Sequence, residues 1–190
     1  MDAPFPEEFN RKALAAAVHT HFAPTQLAAA NLRGEGVEAE SILDALLALA
    51  RERPDSLTLT IPVHPNPAVS LPVRRRLAGV ANVRLLPPLD YPDFLRELAA
   101  SDAVLTDSGG VQEEAPAVGV PVLVLRDVTE RPEVVTSGWG RLVGTDAGRI
   151  LLETRRLLDD PREARAMRAG PNPFGDGHAA ERIVAELERR

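Results

Sequence analysis

Cysteine is absent from the 190-residue sequence. That excludes disulfides, thiolate metal sites and a cysteine nucleophile, and nothing points to an oxidising compartment. Histidine is scarce: the four present are scattered, so no metal site is expected. His19 and His21 flank Thr20 with no carboxylate cluster beside them, and surface or packing roles are expected. There is no basic block either. The 28 acidic and 22 basic residues give a formal charge of -6, spread along the chain, which argues against a nucleic-acid surface. No apolar run approaches the roughly 18 residues of a membrane span. The opening "MDAPFPEEFNRK" is acidic and proline-bearing where a secretory signal has a basic start and an apolar middle. A cytoplasmic protein with a small-molecule ligand is expected, acting on no nucleic acid and no membrane.

What is present is enough apolar residue, 44% of the chain, to bury a sizeable core. A short β-rich apolar run, a polar or Gly/Pro turn and an amphipathic helical stretch recur, which is the pattern of an α/β fold with a doubly wound parallel sheet. Strands are expected at Leu57–Val63, Val83–Leu86, Ala103–Thr106, Val120–Leu125 and Leu142–Val143, several of them apolar throughout. Helices are expected near Ile42–Arg51, Val69–Leu77, Tyr91–Ala99, Val111–Val118, Ala147–Leu158, Arg162–Ala169 and His178–Glu188. The first third offers two helices and at most a weak strand, ending at Gly34-Glu35-Gly36.

The stretch "LTDSGGVQEEAPAVGVPVLVL" sets a Ser-Gly-Gly turn between a strand and a helix. The first amides of such a helix are unpaired and carry the positive end of its dipole, so anions bind there. Gly109 and Gly110 would let a diphosphate approach the backbone, and the Ser108 hydroxyl adds a donor. The competing reading makes Ser108 only an N-cap, with Glu113 and Glu114 complementing the dipole. A capping box would put Glu or Gln at the position that Val111 holds. Glu114, six residues after Ser108, lies about 9 Å along the helix, a distance that suits the ribose of a nucleoside diphosphate. Pro116 should keep this helix short. Arg126 and Arg131 can serve either the diphosphate or the fold of their own loop. Trp139, the only tryptophan, reads as packing, and His178 as lying near a helix N-terminus.

The segments "PFPEEFNR", "HFAPT", "PVHPNP", "PPLDYPDF", "DSGGVQEEAPAVGVPVLVLRDVTERPE" and "NPFGDGHAAERI" resemble the non-hydrolysing UDP-N-acetylglucosamine 2-epimerase family, in that family's order and over most of the chain. The resemblance implies a glycosyltransferase-B-like fold of two domains with the active site in the cleft. It implies interconversion of UDP-N-acetylglucosamine and UDP-N-acetylmannosamine, an isomerase reaction that eliminates UDP to give a C1–C2 unsaturated glycal and then adds UDP back. It also implies that Ser108, Gly109 and Gly110 meet the diphosphate, Glu114 the ribose hydroxyls and Phe94 the uracil. His64 would border a second, regulatory UDP-N-acetylglucosamine, and Glu7 would be the acidic residue near the reacting sugar. No cofactor is implied.

The family's N-terminal domain, with its "HVEAG"-type motif, has no counterpart here, nor does the strand and "HRREN"-type loop expected between Val37 and Ile42. Residues 1–37 then read as a helical remnant and connection, and 38–190 as a Rossmann-like UDP-binding domain without its first strand. In a 3-2-1-4-5-6 order that strand is central, so its loss should open the sheet and leave marginal stability. A retained UDP half-site is expected, without epimerisation by this chain alone. The rival expectations are a non-catalytic nucleotide-sugar-binding module and a non-functional fragment of a disrupted gene. Expected partners beyond UDP or UDP-N-acetylglucosamine are a second copy of the chain or a chain supplying the missing half.

Overall fold

The computed structural model describes residues 40–189, so Glu7, His19, His21 and the helices expected within 1–37 lie outside the described residues. The chain divides into two compact units, one running to Pro88 and the other from Leu89.

In the first unit, helix α1 (40–52) stops before Arg53, which precedes Pro54 and is therefore biased away from helical geometry. The Asn82 side-chain amide donates to the carbonyls of Ala50, Arg53 and Leu57 at 3.0, 3.2 and 2.8 Å, tying the end of α1 to the next segment. Strand β1 (Leu59–Pro62), helix α2 (Pro67–Leu77) and strand β2 (Val83–Leu86) follow. The strands pair in parallel, Leu59 opposite Val83. Asn66 caps α2, its side chain accepting from the Ala68 amide, with Pro67 at the first helical position where its missing N–H has no partner to lose. Arg74, Arg75 and Arg76 in the last turn match the negative end of the dipole. Leu43, Leu49, Val63 and Leu77 are buried.

The second unit alternates helix α3 (Tyr91–Ala99), strand β3 (Val104–Thr106), helix α4 (Gly109–Ala117), strand β4 (Val122–Val124), helix α5 (Pro132–Thr136) and strand β5 (Gly140–Leu142). Helices α6 (Ala147–Asp159), α7 (Pro161–Met167) and α8 (Ala179–Leu187) complete it. The sheet is parallel in the order β3-β4-β5. Central β4 has no exposed residue, which is why its sequence, Val-Leu-Val, is apolar on both faces. Leu98, Ala115, Val120, Val122, Val124, Val134 and Trp139 form the core cluster. The Trp139 indole donates to the carbonyls of Gly170 and Pro171 at 3.1 and 3.0 Å, so it is a packing residue as expected. His178 is at the N-cap of α8.

The parallel α/β pattern is present, divided into sheets β1-β2 and β3-β4-β5. Removing strand 1 from a 3-2-1-4-5-6 order leaves strands 2 and 3 in one group and 4, 5 and 6 in the other. Among the described residues, β1 and β3 are each hydrogen-bonded to a strand on one side only.

Candidate functional site

Strand β3 ends at Thr106, which is nearly buried and whose Oγ1 accepts the Ser108 amide at 3.0 Å, bending the chain into α4. Ser108 then stands at the N-cap in extended geometry, but its hydroxyl makes no capping bond, and α4 has no acidic residue in its first turn. Both parts of the N-cap reading are therefore missing. Ser108 and Gly110 are exposed and Gly109 is partly exposed.

The glycines make the point more sharply. Neither Gly109 nor Gly110 has positive φ. A Cβ added to Gly110 would meet nothing nearer than the Ser108 hydroxyl at 3.8 Å. One added to Gly109 would meet only the Arg131 guanidinium, also at 3.8 Å. These are ordinary van der Waals distances. Among the described residues, then, neither backbone conformation nor packing requires glycine here. A bulky guest against the backbone would.

Arg131 stands beside this mouth, its Nε paired with Glu113. It serves the fold of its loop and is also within reach of an anion at Gly109. The loop is held by Gln112, a fully buried side chain. Its amide donates to the Ser108 carbonyl at 3.2 Å and its oxygen accepts from the Thr129 hydroxyl, which in turn accepts the Arg131 amide at 3.0 Å. Sequence reasoning passed over Gln112 and Thr129. The available signal was Gln112 itself, a polar residue one turn after Ser108 in a segment whose neighbours Val111 and Ala115 are apolar.

Glu114 is partly buried, and its carboxylate accepts a hydrogen bond from the Tyr91 hydroxyl. The Glu114 charge, with lost hydration and that bond adding to it, holds the Tyr91 phenol above its ordinary pKa. Phe94, three residues along α3, is half-buried against the core cluster. Tyr91 was also missed, although it is the only tyrosine and lies inside "PPLDYPDF". Phe94, Ser108, Gly109, Gly110 and Glu114 thus all belong to the second unit. His64 belongs to the first, exposed, its Nδ1 accepting the Asn66 amide at 3.1 Å. A separate hollow is lined by Arg141, Leu142, Arg149, Glu153 and Arg156. Its cations are already engaged: Arg141 with Glu153 and Glu163, Arg156 with Glu163, and Arg149 with the Leu142 carbonyl. It holds no exposed helix mouth, and the Ser-Gly-Gly turn is the better candidate.

The family model for UDP-N-acetylglucosamine 2-epimerase matches residues 38–188. The chain belongs to the UDP-N-acetylglucosamine 2-epimerase family. It is 36% identical over 245 residues to the probable UDP-N-acetylglucosamine 2-epimerase of Ralstonia solanacearum, covering 98% of this chain and 65% of that protein. With the UDP-N-acetylglucosamine 2-epimerase of Escherichia coli K12 the identity is 50% over 149 residues, 78% of this chain and 39% of the relative. Among solved structures, the Neisseria meningitidis UDP-GlcNAc 2-epimerase bound to UDP-GlcNAc superposes with a TM-score of 0.75 at 40% identity, covering 80% of this chain and 41% of that one. The Staphylococcus aureus MnaA–UDP structure gives 0.75 at 42% identity, covering 80% and 41%. The chain therefore spans two thirds or less of these epimerases. The Ralstonia match runs over 245 residues against 190 here, so at least 55 positions inside the aligned span have no counterpart.

Proposed function

We propose that this chain carries the UDP half-site of a UDP-N-acetylglucosamine 2-epimerase and binds UDP or UDP-N-acetylglucosamine without epimerising it alone. The observation that carries this is the uncapped mouth of α4, with two glycines that the described fold does not need. Ser108, Gly109 and Gly110 would hold the diphosphate, Glu114 the ribose hydroxyls and Phe94 one face of the uracil, as in the family the chain belongs to. Arg131, so close to Gly109, would add positive charge. His64 would face the regulatory nucleotide sugar, and Glu7 would be the carboxylate near the reacting sugar. Residues 38–190 would act as the binding domain and 1–37 as the connection. The cysteine-free composition supports a cytoplasmic setting.

The family reaction breaks the C1–O bond to UDP and moves the C2 proton, so it needs stabilisation of leaving-group charge and a base held opposite. The helix mouth supplies the first. The positions without a counterpart in this chain would take a facing part of the machinery with them, and effective molarity would be lost too. A complete enzyme would then require another chain to contribute what is absent. The same missing positions favour a non-catalytic nucleotide-sugar-binding module as the second reading.

Thermal unfolding with added UDP tests the binding. UDP at 100 times its dissociation constant should stabilise by about 2.7 kcal/mol, and Ser108→Ala or Glu114→Ala should weaken the response. No response at millimolar UDP would refute the half-site. Incubation with UDP-N-acetylglucosamine should yield no UDP-N-acetylmannosamine, and turnover by the purified chain would refute the inactivity.

A further inference from the structure

Gln112 of α4 is fully buried, and its side-chain amide joins the Ser-Gly-Gly turn to the loop that carries Arg131. Nε2 donates to the Ser108 carbonyl at 3.2 Å, and Oε1 accepts from the Thr129 hydroxyl. The Thr129 oxygen in turn accepts the Arg131 amide at 3.0 Å. One continuous chain of hydrogen bonds therefore runs from the Arg131 backbone to the residue before Gly109. The Arg131 side chain is held as well, Nε by Glu113 and Nη1 by the Glu130 carbonyl at 3.2 Å. Nη2 is the nitrogen beside the helix mouth, 3.8 Å from where a Cβ on Gly109 would lie.

Stability does not call for the Gln112 amide. A buried polar group costs free energy unless it is hydrogen-bonded, and an apolar side chain of similar shape would fill the same space without that demand. The Ser108 carbonyl already accepts the Gln112 backbone amide at 3.2 Å, so the side-chain bond is a second one. Thr129 is only partly buried, and its hydroxyl can turn to water. Gln112→Met would thus strand no buried partner. What the amide adds is placement: it fixes the loop at one distance from the turn, and a cation held in advance loses less freedom when an anion arrives.

We propose that Gln112 is the positioning residue that sets Arg131 against the Ser-Gly-Gly turn, so that the guanidinium meets the diphosphate already in place. The inference rests on the UDP half-site proposed above and adds to it what locates its cation.

Calorimetric titration of UDP into the full chain, over a double-mutant cycle of Gln112→Met and Arg131→Met, tests it. Gln112→Met should weaken UDP about fivefold, the scale of one hydrogen bond, while Arg131 is present, and less than about twofold once Arg131→Met has been made. Its unfolding temperature should be nearly unchanged. A merely structural role would weaken UDP by the same factor in both backgrounds, and equal factors would overturn the proposal. An affinity that either single substitution leaves within about twofold would overturn it too. Thr129→Val breaks the same chain at its partly exposed end and should show the same dependence on Arg131, so it decides the matter if Gln112→Met loses the fold. If the unaltered chain binds no UDP, the half-site itself fails and the inference falls with it, a result distinguishable because it precedes any substitution.

Discussion

Gly109 and Gly110 lie in helix α4 without positive φ and with space around them, unlike Gly144 in the same unit. Gly144 has φ +64°, and a Cβ there would meet the Asp127 Oδ1 at 2.7 Å. The contrast separates glycines the fold uses from glycines a ligand would use. Gly109→Ala should leave urea-unfolding stability unchanged or raise it by about 0.4–1 kcal/mol through the unfolded state, while weakening UDP. Gly144→Ala should cost about 1–2 kcal/mol or more for left-handed backbone alone. If Gly109→Ala destabilised as much as Gly144→Ala, that glycine would belong to the packing and not to a guest. Ser108, the glycine pair and Glu114 were legible because they lie within one strand-turn-helix segment. Tyr91, Gln112 and Thr129 were not, since what defines them is a partner across the fold: Tyr91 with Glu114, and Gln112 with Thr129 in a loop.

At the scale of elements, period and punctuation carried most of the fold. Strand Val83–Leu86 and helix Tyr91–Ala99 occur where the sequence places them. The other expected strands shift or shorten at their ends, because hydrogen-bonded pairing extends over fewer residues than the apolar run: Val120–Leu125 becomes Val122–Val124. Helix α5, five residues opening on Pro132, is too short to show a helical period and was not among the expected helices. The elements differ widely in burial. Leu123 of β4 is fully buried, whereas Ile183 of α8 is 60% exposed and α8 has no buried residue. Leu123→Ala should cost about 2–5 kcal/mol and Ile183→Ser less than about 0.5 kcal/mol in chemical unfolding. Equal losses would contradict this placement of the core. Between β5, α6 and α7, hydrogen bonds from Arg141 and Arg156 hold the Glu163 carboxyl below its ordinary pKa despite an opposing loss of hydration. A carboxyl depressed by folding contributes its stability above the ordinary carboxylate range and loses it as pH falls through the folded value. Glu163→Gln should therefore flatten the acid side of the stability profile and leave its shape near neutrality unaltered. An unchanged acid limb would remove Glu163 from that role.

For the molecule as a whole, the parallel strands lie in two sheets, β1-β2 and β3-β4-β5. The match over 245 residues of the Ralstonia relative, with only 190 here, places unmatched positions inside the aligned span. Sequence patterning shows the strands that exist. The expectation that the sheet would open came only from the family's strand order and not from the patterning of the strands themselves. Strand β3, the Ser-Gly-Gly turn, α4 and the start of α3 lie within one unit, so the half-site proposed above draws on that unit alone. The most direct test is to follow the backbone amide signals of Gly109 and Gly110 by two-dimensional NMR while UDP is added. Saturable movement of both, absent with uridine, is the expected result. Amides that stay in place at millimolar UDP, while the chain remains folded, would contradict the account.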